Sequence, residues 1–113
     1  MGMVYLVNAI SPSMFPIPCR LVLNHINTDE AKELLEYMFY NAIGHAGTAA
    51  VVSKLLDKEI KANRANIYVN YNDRLIVFAL KKRIEEGRVL SEDEINQIGY
   101  TWCLVEVEEL KDD

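Results

Sequence analysis

Hydrophobic and polar positions divide the chain into short elements with two different periods. Met3-Val4-Tyr5-Leu6-Val7 reads as an apolar strand closing at Asn8, and Ser11-Pro12-Ser13 with Pro16 and Pro18 reads as a rigid loop that stops strand pairing. Arg20 to Ile26 alternates Leu21, Leu23 and His25 with Val22, Asn24 and Ile26, the period of a second strand partly open on one face. Asn27 stands three residues before Glu30 as a helix cap. Ala31, Leu34, Leu35, Met38 and Phe39 then fall on one face, which predicts a helix running to about Phe39.

A second helix opens at Gly44-His45, with Val51, Val52, Leu55 and Leu56 as its buried stripe. Asn66 to Tyr71 alternates, Asn72-Asp73 suits a turn, and Arg74 to Leu80 is apolar on both faces, so a hairpin with a central second strand is expected. Ser91 and Glu94 form a capping box, Ile95 and Ile98 face inward, Gly99 ends that helix, and a last strand runs from Tyr100 to Val107. These elements predict one small α+β domain over residues 1–113, a mixed sheet of about five strands flanked by about three helices.

Composition narrows the class. The chain has 113 residues, room for one core, and its 50% hydrophobic and 26% charged residues are those of a packed globular domain. A formal net charge of -5 argues against a broad footprint on duplex DNA, which needs many Lys and Arg facing phosphates. That charge is an average over unlike segments: acids crowd the C-terminus at Glu106, Glu108, Glu109, Asp112 and Asp113, whereas Lys81, Lys82, Arg83 and Arg88 cluster. Cys19 and Cys103 match no metal or redox spacing and read as reduced thiols. The longest apolar run, Leu75 to Leu80, is far short of the ~20 residues of a membrane span, so a soluble cytoplasmic protein without membrane partner is expected.

The polar residues that stand out are Gly44-His45 at a helix start, the Asn63-Arg64 pair, and Arg83-Ile84-Glu85-Glu86-Gly87. A helix start offers free backbone amides and the positive end of the dipole, so a glycine followed by histidine there can hold an anion beside an acid or base. Arginine suits a bidentate grip on phosphate. Each also has a plainer reading: His45 as a helix-starting residue, the arginines as solvated cations, Glu85 and Glu86 as their ion partners. His25 in its alternating strand reads as a satisfied surface residue. Arg64 before one strand of the hairpin and Arg83 after the other are expected to meet at one sheet edge, with Lys81, Lys82 and Arg88 attracting an anion. Trp102 is a core or interface residue, and Tyr5 or Tyr68 is a candidate to stack on a base.

Asn41-Ala42-Ile43-Gly44-His45, Asn63-Arg64, Arg83-Ile84-Glu85-Glu86-Gly87-Arg88-Val89-Leu90 and the strand end Asn8-Ala9-Ile10-Ser11, in this order and spacing, resemble the viral ring nucleases. These are type III anti-CRISPR proteins of archaeal viruses and phages, with related cellular ring nucleases. The resemblance implies a metal-independent homodimer without cofactor that cleaves cyclic tetra-adenylate to di-adenylate with 2′,3′-cyclic phosphate ends, in the host cytoplasm if the source is viral. It implies a catalytic histidine at His45, a catalytic acid at Glu86, and ligand contacts from Arg64 and Arg83, with Gly44, Asn8 and Ser11 beside the ring. Lys82 departs from the glutamine common in the family at that position and bears on ligand binding. The competing classes are a sensor or sponge that binds a cyclic nucleotide without cutting it, and a small DNA-binding regulator.

Overall fold

The computed structural model describes residues 2–85 and 87–111. Five strands, β1 (Val4–Val7), β2 (Cys19–Ile26), β3 (Tyr40–Ala42), β4 (Arg74–Leu80) and β5 (Tyr100–Glu109), form one sheet in the order β2-β5-β4-β1-β3. β1 lies parallel to both β3 and β4, while β5 runs antiparallel to β4 and β2, so the sheet is mixed and the expected α+β class holds. The helices are α1 (Thr28–Leu34), α2 (Ala46–Leu56) and α3 (Glu92–Ile98).

Burial explains which sequence patterns became strands. β4 is apolar on both faces because both are covered: Ile76 and Phe78 face the helices with Leu6 and Trp102, and Leu75 joins Val7, Val105 and Val107 on the other side. On the helical side, Ala31 and Leu35, then Val51, Val52 and Leu56, then Ile95 close the main core. Trp102 packs edge-on to Phe78 at 4.7 Å between ring centres and donates from Nε1 to Thr28 Oγ1 at 3.1 Å, so it is a core residue.

Two expected elements are corrected. Asn66 to Tyr71 is not a strand and no hairpin forms, because β4 already has β1 on one edge and β5 on the other. The segment instead lies over the second face of the sheet, burying Ile67 and Val69 and donating from Val69 N to Met14 O at 2.7 Å. Its alternation recorded one-sided burial, which strand pairing and packing across a sheet produce equally well. The first helix ends at Leu34 rather than near Phe39, and Met38 is 85% exposed. The chain must turn there to enter β3, whose Tyr40 pairs with Tyr5.

The three caps form as the sequence predicts. Asn27 accepts from Glu30 N at 2.8 Å, and Ser91 accepts from Glu94 N at 3.2 Å. Gly99, with φ +82°, ends α3. Asn72 has positive φ in the expected turn, and the next residue fixes the start of the chain. Asp73, 6% exposed, accepts from Met3 N through Oδ1 and from Asn70 N through Oδ2, both at 2.8 Å. Asp73→Ala leaves two donors unpaired and is expected to lower the unfolding free energy by about 2–4 kcal/mol in urea titration. An unchanged midpoint would show that water replaces the carboxylate at no cost.

Candidate functional site

Parallel strands release their chains at the same edge of a sheet. The C-terminal ends of β1, β3 and β4 therefore send Asn8, the Ile43-Gly44-His45 turn and the Lys81-Lys82-Arg83 segment to one edge. Arg83 reaches this edge through parallel pairing and not through the expected hairpin. Ile84 is buried, and its Cδ1 lies 3.8 Å from where a Cβ on Gly47 would stand, which ties the Arg83 segment to the first turn of α2.

His45 is the N-cap of α2. Its Nδ1 accepts from Thr48 N at 3.4 Å, and Thr48 Oγ1 is 3.5 Å away. With Nδ1 accepting, the neutral ring bears its hydrogen on Nε2, and the exposed ring leaves that nitrogen to solvent or a ligand. The histidine thus has a structural duty and a free donor.

Asparagine side chains hold the turn in front of it. Asn8 Oδ1 accepts from Gly44 N at 3.1 Å, and Asn41 Oδ1 accepts from Ile43 N at 3.1 Å. Asn41 Nδ2 donates to Lys61 O at 2.6 Å, while Asn63 Nδ2 donates to Asn41 O at 2.8 Å and Asn63 N to Ile43 O at 2.7 Å. This reciprocal clamp brings residues 61–64 against residues 41–44, although the two segments are separated by the whole of α2.

The clamp positions Arg64. Its Nε donates to Gly44 O at 3.2 Å, and the two terminal nitrogens have no partner among the described residues. A Cβ on Gly44 would come within 3.2 Å of Arg64 Cγ, so the glycine permits the close approach. A guanidinium anchored through Nε presents the fork of its other two nitrogens to a phosphate or carboxylate. It borders an open cleft of about 360 Å³ lined by Asn8, Ala42, Gly44, Arg64, Ala65 and Asn66.

Charge is divided between the two ends of the sheet. Lys81, Lys82 and Arg83 follow β4 at this edge, whereas Asp73 and the acids Glu106, Glu108 and Glu109 of β5 lie at the opposite one, where Glu106 pairs in register with Arg74. The overall negative charge therefore coexists with a locally positive edge.

Other expected residues are placed elsewhere. Ser11 caps a single 3-10 turn, Pro12–Met14, and lines a separate apolar cleft with Ile10, Phe15 and Leu21. Arg88 is paired with Glu94, whose carboxyl is held below the usual range first by the Ser91 backbone N–H and next by Arg88, so this arginine is not a free anion attractor. Tyr5 packs against Tyr40 at 6.0 Å and pairs in register with Leu75 near the start of β4, which places it toward the acidic end and away from the cleft; burial and then the Asp73 charge raise its phenol pKa. Tyr68 is 72% exposed. His25 is exposed on the edge strand β2, as expected of a surface residue. Glu86 lies outside the described residues. In the sequence Asn41, Asn63 and Asn66 read only as motif or strand residues. Their signal was the density of asparagine beside Gly44 and Arg64.

Residues 4–102 match the model of the STIV B116-like family. Uncharacterized protein 26 of Sulfolobus islandicus filamentous virus is 37% identical over 108 residues, covering 93% of this chain and 92% of its own. Uncharacterized protein ORF117 of Acidianus two-tailed virus is 31% identical over 100 residues, covering 85% and 86%. The solved structure of B116 of Sulfolobus turreted icosahedral virus superposes with a TM-score of 0.83 at 29% identity, covering 93% of this chain and 99% of that one. Among the described residues no helix is long and apolar enough to cross a membrane.

Proposed function

This chain belongs to the STIV B116-like family, whose matched members are proteins of archaeal viruses, and we propose that it is a metal-independent ring nuclease acting on cyclic tetra-adenylate. The observation that carries the reading is the convergence at one positive sheet edge of a histidine capping a helix and an arginine held by its Nε with its anion-binding fork free. Such a pairing fits a phosphodiester: the guanidinium neutralises the non-bridging oxygens while the imidazole handles a proton.

The substrate supplies its own nucleophile. The ribose 2′-oxygen forms a bond to the neighbouring phosphorus, the bond from phosphorus to the 5′-oxygen breaks, and a 2′,3′-cyclic phosphate remains. One proton leaves the 2′-hydroxyl and one reaches the departing 5′-oxygen, so each cut is a transesterification without a water molecule. His45 in its imidazolium form protonates the leaving oxygen from Nε2, Nδ1 then no longer accepting from Thr48 N, and the proton lost by the 2′-hydroxyl passes to solvent. Glu86 is assigned to orient the histidine or the hydroxyl. Arg64 and Arg83 bind the phosphates, Lys82 adds attraction, and Asn8, whose Oδ1 is taken by Gly44, is left with Nδ2 to offer an acceptor on the ring. A two-fold homodimer would supply four guanidinium groups from Arg64 and Arg83 to the four phosphates and make two cuts. Destroying the messenger would silence the nucleases it activates in type III CRISPR defence.

One observation favours a second reading, a sponge that binds without cutting: the Nδ1 cap gives His45 a structural reason to exist. Incubation with labelled cyclic tetra-adenylate in EDTA separates the two. Di-adenylate with cyclic phosphate ends is expected at full rate. Binding without any product, with or without added divalent ions, would establish the sponge; activity that needs a divalent ion would overturn the metal-independent chemistry.

A further inference from the structure

We propose that Asn66 reads the adenine base in this cleft, through a bidentate contact to the N6 and N7 edge; the inference rests on the cleft being a cyclic oligoadenylate site. Four asparagines stand at or behind it, and three are committed to the chain itself. Asn8, Asn41 and Asn63 each spend side-chain amide atoms on backbone groups of residues 41–44 and 61. Asn66 lines the same cleft beside Arg64, is exposed, and makes no hydrogen bond among the described residues.

A free carboxamide presents one donor and one acceptor side by side. Adenine offers the complementary pair, an N6 donor next to an N7 acceptor, whereas guanine and hypoxanthine show two acceptors at those positions and leave the carboxamide oxygen facing another oxygen or nitrogen lone pair. The bases of a cyclic tetranucleotide have no pairing partners, so this edge is open to a side chain. The backbone places the two contacts sensibly. Arg64 and Asn66 line the same cleft two residues apart, so Arg64 on a phosphate leaves Asn66 within reach of a neighbouring base. Ile67 and Val69, buried on the opposite side, anchor the run.

The test measures binding of cyclic tetra-adenylate and of its 7-deaza analogue, which lacks only the N7 acceptor. The proteins are His45→Asn, which keeps the ring intact, and the same variant carrying Asn66→Ala or Asn66→Asp. The parent is expected to bind the 7-deaza ring roughly 5- to 100-fold more weakly than the natural one, the usual worth of a bidentate base contact. Both Asn66 substitutions should bind the natural ring more weakly and lose most of that discrimination, Asp because it lacks the donor. Equal binding of the two rings by the parent, or discrimination surviving in Asn66→Ala, overturns the assignment. Failure of the parent to bind either ring is the distinguishable failure of the functional reading, and the assignment falls with it.

Discussion

His45→Ala is expected to slow cleavage of cyclic tetra-adenylate by about 10²- to 10⁴-fold, the range over which general acid catalysis operates, while the ring still binds. Alanine also removes the Nδ1 cap of α2, at a cost of about 1 kcal/mol in stability, so the substitution alone mixes two effects. His45→Asn separates them. Asparagine is a preferred N-cap whose oxygen accepts from the same Thr48 amide, but it offers no acidic proton at neutral pH. The expectation is therefore near-native unfolding for His45→Asn, a modest loss for His45→Ala, and the same large fall in single-turnover rate for both. If His45→Asn cleaved at the native rate, His45 would be a cap and nothing more, and the protonating group would lie elsewhere.

The sequence was most legible where one local rule decides the outcome. Asn27 with Glu30, Ser91 with Glu94 and Gly99 each satisfy groups within their own helix, so their spacing suffices, and the structure has all three. Patterns that record burial were more ambiguous. Asn66 to Tyr71 buries Ile67 and Val69 like a strand, but whether it pairs depends on whether a free edge exists, and β1 and β5 had taken both edges of β4. β3 has three residues, too few for any period to stand out, yet it puts Gly44 at the edge proposed as the site.

The same division runs through the site. Gly44-His45 was legible because a helix start is a local event. The expected meeting of Arg64 and Arg83 at one sheet edge rested on a hairpin that does not form, and nothing in the sequence pattern announces the contact of Arg64 with Gly44. The contact arises from Asn41 and Asn63, which face each other across 22 positions in sequence and whose amides look like ordinary loop residues until they are seen bonded to each other's backbone. Ser11 stands beside the ring only by the resemblance; in the structure the chain turns at Pro12 and Ser11 borders the apolar cleft.

Arg64→Ala should weaken ring binding by about 10²- to 10⁴-fold, because the proposed two-fold dimer would lose two charged contacts at once and each is worth about 1.5–3 kcal/mol. It should also flatten the dependence of affinity on salt, since fewer counterions are displaced when two guanidiniums are missing. Arg64→Lys is expected to recover the salt slope and little of the affinity: an ammonium has no Nε to lean on Gly44 O and no planar fork to hold two phosphate oxygens. Gly44→Ala tests the same geometry from the other side. Its Cβ would crowd Arg64 Cγ at 3.2 Å without altering any charge, so affinity should fall while the salt slope stays native. Titration of the ring at several salt concentrations resolves these outcomes. Native affinity and slope in Arg64→Ala would remove the arginine from the site, and a Gly44→Ala protein with native affinity would mean that the guanidinium binds equally well without its anchor.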